Sequence, residues 1–490
     1  MKTKRVTKKN LKELIIYAEK LNKKLIRKRI RNVKNMTNRE RWQCYTQGLF
    51  SPQNFIDWSY RYLVGASLQR RVWIGSPYGD PSEEYQPCFA NSYNVLSGPP
   101  GTGKGLVIKA VSGLLKHWRL KDAIKLGAVD GQKSSGNEAI IDTVREDNLK
   151  NARDVELQSS NKRAAHVEPL LIPVAPDATT YESLVEVIAQ SHRMINYYKK
   201  DGKIGVYGHS SLCFCLEELG SLLRKRTNDT VTYLLGVYDC PIDYTHRTKT
   251  QGMDRVRRGC LNLLAGTTPN FMKTCFDKGL TEQGFSSRVF FICAKEPRRY
   301  GCFIPPLTEE QTQCKKELLE HIRKLASLYG CVRLKPEVYE FMEDWVVTRG
   351  KLRASKAPKI PELESFEARM NIHVFKVAMQ EHFSESIDLE IPLVQFQNAI
   401  KIIEEEKKNM HLALGLESKN PIANISRDLL IYLADGTKSV IDIIVKLHPL
   451  GDKDQIEKAI SFLEETSQII PHIETNEITN KQLVYWSLKK

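Results

Sequence analysis

LSGPPGTGKGLVIKAV, residues 96–111, decides how the rest of the chain is organised. The run NSYNVLSG ahead of the glycines is short and apolar, which predicts a strand, and LVIKAVSGLLKHW after them has helical spacing. Strand, glycine loop, helix is the order in which successive backbone N–H groups face one anion and the helix dipole reinforces them. Gly98, Gly101 and Gly103 let the backbone turn, and Lys104 has the reach to touch β- and γ-phosphates. With Pro99, Pro100, Thr102, Gly105 and Leu106 they make the candidate nucleotide cradle. Seven of the eight positions in GPPGTGKG, Gly98 to Lys104, fit that reading. The eighth is Gly105, where such loops place a hydroxyl for magnesium, and Leu106 supplies none. A metal here must therefore rest on water and on carboxylates from elsewhere. LCFCLEEL supplies two: Glu217 and Glu218 close an apolar strand, where ionised side chains are costly unless a site uses them.

At 490 residues the chain has room for two to four domains, and 41% hydrophobic with 27% charged residues is ordinary globular composition. No run approaches the ~18 apolar residues of a membrane helix, and no secretory signal is recognisable at the start. The eleven cysteines are scattered, and Cys213 with Cys215 share one face of a strand rather than a zinc spacing. Reduced thiols and a cytoplasmic location are the expectation. The net charge of +16 is concentrated in an arm. The first 41 residues hold sixteen bases against Glu13, Glu19 and Glu40, a balance of +13. An apolar stripe there (Leu11, Leu14, Ile15, Ala18, Leu21, Leu25) predicts a basic helix suited to a polyanion.

Four domains are expected: a basic helical arm over 1–57, an α/β core over 58–304, a helical lid over 305–418 and a winged helix-turn-helix over 419–490. In the core LLIPVA, SLCFCL, CLNLLAGTTP and RVFFICAK read as strands alternating with helices, a parallel sheet covered on both faces. Thr179 and Glu182 make a candidate capping box. Residues 121–166 are polar and aperiodic, an insertion. Past Pro305 strands are expected to stop, giving way to four amphipathic helices. The tail reads as three helices and a two-stranded ribbon, its recognition helix DKDQIEKAISFLEE too acidic to attract phosphates.

This order of parts resembles the AAA+ ATPases over roughly residues 58–414. The resemblance implies ATP and Mg2+ as cofactors, with Glu217 orienting a metal-bound water and Glu218 as the base that activates the attacking water. It further implies Thr268 of LLAGTTP as a sensor of the γ-phosphate, Arg288 of GFSSRVFF as an arginine entering a neighbouring subunit's site, and Arg369 as the lid arginine. RRVWIG, APDATTYESL, LEELGSLL, GTTP and GFSSRVFF in shared order are similar to the phage- and plasmid-type replicative helicases. That similarity implies a hexameric ring translocating on single-stranded DNA, with replication proteins such as a primase as further partners. The segment CPIDYTHRTKTQGMDRVRRGC is expected to form a pore hairpin. Arg247, Lys249 and Arg255 would grip the strand, with Lys249 at the tip and Arg257 and Arg258 adding charge. The competing expectation is a helicase loader or DNA-bound regulator using ATP as a switch.

Overall fold

The computed structural model describes residues 33–75, 87–120, 169–176, 181–198, 204–223, 227–248, 252–276, 284–354, 361–413, 421–475 and 482–489. The apolar stripe of the basic arm, the 121–166 insertion, Thr179 and Lys249 lie outside them.

The first two helices lead into the core. Helix α1 (Asn38–Thr46) opens on a capping box, Thr37 with Glu40, and α2 (Gln53–Leu68) is buried along nearly its whole length. It runs straight across the domain boundary expected at 57/58. Strands β1 (Val72–Ile74) and β2 (Cys88–Phe89) follow, then β3 (Tyr93–Ser97), the glycine loop and α3 (Lys104–Leu115). Next come α4 (Tyr181–Gln190), β4 (His192–Tyr198), β5 (Ile204–Leu216), α5 (Gly220–Leu223) and α6 (Thr227–Tyr238). A hairpin of β6 (Asp243–Thr248) and β7 (Gly252–Arg257) precedes β8 (Gly259–Thr267), α7 (Pro269–Phe276) and β9 (Val289–Cys293).

The central sheet has the order β4-β5-β8-β3-β9. Strands β5, β8, β3 and β9 are parallel, with Ser97 opposite both Thr267 and Cys293. Two features correct the sequence reading. Strand β4 is antiparallel to β5, so the sheet is mixed, and HRMI belongs to that edge strand. LLIPVA is no strand; it touches β5 through one parallel bridge, Val174 to Cys213. Pro173 accepts from the Cys213 N–H but has no N–H of its own, so the ladder cannot extend.

Strands do not stop at Pro305 either. After α8 (Glu309–Ala326), β10 (Gly330–Leu334) pairs in parallel with β1. Beyond α9 (Pro336–Ala354), α10 (Pro361–Ala368) and α11 (Met370–Phe383), β11 (Glu390–Ile391) extends that second sheet to β11-β10-β1-β2. Helix α12 (Leu393–Ala413) completes the region. The expected lid is thus stitched into the core. Trp58 Nε1 donates to Glu406 Oε2 at 2.8 Å, Lys376 of α11 donates to Phe89 O at 3.0 Å, and one hydrophobic core runs from Trp42 to Met410. Each large apolar side chain buried there contributes about 1.5–3 kcal/mol.

The tail has its own core of Ile425, Leu429, Ile443, Ile456, Leu463 and Trp486. Helices α13 (Pro421–Ala434), α14 (Val440–Leu447) and α15 (Lys453–Glu465) stand with β13 (Ile469–Thr475) and β14 (Gln482–Leu488). A short strand β12 (Lys438–Ser439) adds a third member that the sequence did not announce, giving β12-β14-β13. Among the described residues ten cysteines are free thiols, Cys213 and Cys215 among the buried ones.

Candidate nucleotide site

The glycine loop leaves the carboxyl end of β3, and its glycines answer to geometry. Gly101 and Gly103 have φ of 83° and 89°, in the left-handed region that side chains resist. A Cβ on Gly98 would lie 2.7 Å from Ala294 O, and one on Gly103 would lie 2.9 Å from Ser51 N. Ser51 Oγ fastens the loop by donating to Gly103 O at 2.7 Å, and the Thr102 hydroxyl donates to Pro99 O. Lys104 is folded inward: Nζ donates to Gly98 O at 2.6 Å and Pro99 O at 2.9 Å. Burial holds its pKa below the ordinary lysine value, with the Glu218 charge opposing. Pro99, Pro100 and Gly101 are exposed, and Gly105 and Leu106 open the first turn of α3. The ammonium thus rests on loop carbonyls at the N-terminus of α3.

Strand β8 lies between β3 and β5, so the polar residues closing three strands line up along one edge. Gly266 makes the close approach, since a Cβ there would lie 2.4 Å from Glu217 O, and Leu219 N donates to Gly266 O at 2.7 Å. Glu217 and Glu218 follow immediately after β5, but both are exposed, Glu217 by 53% at its side chain. The sequence argument that burial makes these acids costly therefore fails; they stand in solvent just past the strand. Glu217 Oε1 accepts from Lys109 Nζ at 3.1 Å. Thr268 is partly committed, its hydroxyl accepting from Phe271 N at 3.3 Å as a cap for α7. Its neighbour Thr267, missed by the sequence reading, is 1% exposed with a buried hydroxyl that has no partner among the described residues. The tandem threonines in GTTP were the available signal.

The two arginines go elsewhere. Arg288 precedes β9, and Arg369 caps α11; both close on one carboxylate, Asp239, at 3.1 and 2.5 Å respectively. Both guanidinium groups lie over the Tyr238 ring, with Lys376 Nζ 4.6 Å from its centroid. His373 Nε2 donates to Ser287 O at 2.9 Å, and burial among these cations drives its pKa down to about 3. Tyr238 O accepts from Asn91, just before β3, so this cluster sits at the amino ends of the strands. The glycine loop is at the carboxyl ends, a strand away: five residues at ~3.3 Å each span about 16 Å. Arg369 therefore does not lie over its own chain's glycine loop, contrary to what a lid arginine implies.

The hairpin expected between the acids and the sensor strand is formed by β6 and β7, with Arg247 opposite Met253 and Arg255 opposite Thr245. Arg257 is exposed. Arg258 is not part of that basic surface, for its φ of 47° turns it back over the Tyr207 ring at 4.9 Å. Among the described residues no group of three or more His, Cys, Asp or Glu is placed to hold an ion. A cleft of about 800 Å³ opens at the arginine end, lined by Tyr238, Asp239, Lys376, Phe89 and Met342. No described helix is long and apolar enough to cross a membrane.

Neither a protein-family model nor any curated protein matches the chain. Among solved structures, the Aeropyrum pernix Orc1 protein in complex with DNA is similar at 14% identity, covering 81% of this chain and 83% of that one. Its TM-score is 0.19, and a likeness at that score carries no weight for function.

Proposed function

We propose that the chain is an AAA+ ATPase that hydrolyses ATP with Mg2+ at the seams of a hexameric ring and drives single-stranded DNA through the centre. The observation that carries this reading is the edge made by β3, β8 and β5. In this reading Lys104, Thr268 and Glu218, which follow those three strands in the chain, act as a phosphate-gripping cation, a polar sensor and a base for the attacking water. The donor set fits the cofactor: backbone N–H groups and one lysine for the phosphates, Glu217 and water for the metal. The nucleotide, when bound with magnesium, supplies the phosphoryl bond to be split. Glu218 takes the proton of the attacking water, and Arg288 and Arg369 serve the site of an adjacent copy, because their own loop is out of reach. In this reading Arg247, Lys249 and Arg255 line the pore and hold DNA phosphates. The enzyme is placed in phage- or plasmid-type replication, with a primase as a candidate partner and the cytoplasm as its location.

The test is the ATPase rate with and without single-stranded DNA, with oligomer state measured in the same tube. DNA should raise the rate of an assembled ring, and Lys249→Ala should spare the basal rate while erasing that rise. Equal stimulation in the variant would remove the pore assignment.

A loader or ATP-driven switch is the second reading, favoured by the tail. Ile441, Val445, Phe462 and Ile473 are exposed there, on a domain whose α15 is acidic, a surface suited to a basic protein rather than to DNA. Strand separation by the purified protein alone would decide against it.

A further inference from the structure

The stretch RRYGCFIPPLTE, residues 298–309, follows the edge strand β9 and is exposed throughout. Its exposed side chains are largely apolar: Phe303 is 88% and Tyr300 78% accessible, and Ile304 and Leu307 are exposed with them. Large apolar side chains in series on a surface mark a contact to be made. Pro305 and Pro306 restrict the backbone, so less freedom is lost when this strap docks. Because β9 runs parallel to β3, the strap leaves the same carboxyl end as the glycine loop. It is anchored there. Arg298 N donates to Phe50 O at 2.8 Å, and Arg298 Nη2 donates to the Thr46, Gln47 and Leu49 carbonyls. A Cβ on Gly301 would lie 3.0 Å from Phe50 Cζ, and the next residue, Ser51, is the one that fastens Gly103.

The amino end offers a recess of the opposite character. The cleft of about 800 Å³ there has Met342, Val346 and Phe375 in its lining, with the carboxylates of Asp239, Glu340 and Glu343 around them. At the root of the strap stand Lys295, Arg298 and Arg299 against Glu296 alone, all exposed. We infer that residues 300–307 of one copy dock in the amino-end cleft of a second copy, with Phe303 as the apolar anchor and the cations at the strap's root facing the acidic rim. The inference rests on the shared-seam reading of the proposed function and adds to it the surface that joins the copies. Two observations select a second copy as the occupant. The charges of strap and rim are complementary. Each element also adjoins one half of the seam: the strap packs on the segment that fastens the cradle, and the cleft shares Asp239 with Arg288 and Arg369. The same docking therefore carries the arginines of the cleft's copy toward the cradle of the strap's copy. Strap and cleft are different surfaces at opposite ends, so the contact is heterologous, the kind that repeats head to tail and builds rings.

The experiment places the photoreactive residue p-benzoylphenylalanine at position 303 of the full chain and mixes it with isotope-labelled parent chain in the presence of ADP. Irradiation should join position 303 to α9 or α11 of the labelled copy, near Met342, Val346 or Phe375. Phe303→Ser changes a side chain that the fold leaves in solvent. It should weaken self-association about tenfold by sedimentation, with ADP affinity of the dilute chain unchanged. Glu340→Lys combined with Glu343→Lys should weaken association as well, and more at low salt than at high. Crosslinks confined to the probe's own chain, crosslinks reaching a second copy outside the cleft, or a Phe303→Ser chain that associates as tightly as the parent would each overturn the docking and leave the strap to another protein. None of those results touches ATP turnover at a seam. A parent chain that stays monomeric with nucleotide and single-stranded DNA would instead overturn the seam reading, and the docking with it.

Discussion

The two ends of the central sheet hold their charges differently. At the carboxyl end the groups are open: Glu217 and Glu218 stand in solvent, and Lys104 rests on loop carbonyls that a phosphate can replace. At the amino end the charges are closed on each other, two arginines on one aspartate over one tyrosine. One end has acids and a candidate phosphate cradle, with Lys104 and Lys109 as its lysines. The other has cations and no described cradle. A strand's length separates them, so a single chain cannot bring them together by moving side chains. Under the proposed function the difference has a meaning: each end is half of a site, completed when the amino end of one copy meets the carboxyl end of the next.

That comparison can be broken at several points. The largest effect belongs to Lys104→Ala, which removes the cation at the open end. ATP turnover should fall below detection and nucleotide affinity with it, measured by phosphate release and by titration with a fluorescent nucleotide. Next is Arg288→Ala, which should lower turnover about 10³-fold while nucleotide affinity stays within about threefold. Unchanged turnover would leave the arginine with no role beyond its ion pair. Smaller is Asp239→Asn. The arginines must leave this half-exposed carboxylate to serve a neighbour, and a solvent-screened pair is worth only about 0–1 kcal/mol. Thermal stability should barely move, while turnover of the assembled protein should rise about threefold; a fall would mean that Asp239 positions the arginines rather than restraining them.

The smallest effect is the closed end's share of a pH dependence to which the buried His209 and His321 add in the same direction. His373 faces Lys376, Arg369 and Arg288, stacks on Phe366, and is held neutral by burial, its pKa lowered from 6.5 to about 3. The unfolded chain binds a proton there below pH 6.5 that the folded chain refuses. The stability it contributes is therefore complete above pH 6.5 and is lost as pH falls toward 3. Denaturant titrations between pH 7 and 5 should show stability decreasing, with a shallower slope in His373→Gln. Identical slopes would place the proton uptake elsewhere.

How much of this could be read in advance differs between the same two ends. The glycine loop, the paired acids and Thr268 after β8 follow from short contiguous motifs, because strand, turn and helix dictate them locally. The hairpin of β6 and β7 was legible for the same reason, as alternating residues around a polar turn. The antiparallel edge strand β4 was hidden in a helix-like run, and the pairing of β10 with β1 joins residues more than 250 positions apart. Proline 173 alone carried the signal that LLIPVA would not form a ladder. The closed end was illegible as a unit, for Asp239 had no motif and its partners come from two distant segments. The closeness of the Glu217 carboxylate to Gly105 carries no local motif either, for the two lie on separate elements.

The most direct measurement mixes two inactive variants. Lys104→Ala keeps its amino-end arginines, and Arg288→Ala keeps its carboxyl-end cradle. Combined in equal amounts under assembling conditions, they should regain a substantial share of ATP turnover, because some seams then pair an intact cradle with an intact arginine. A mixture that stays as inactive as either variant alone, with mixed assemblies demonstrated in the same sample, would contradict the shared site.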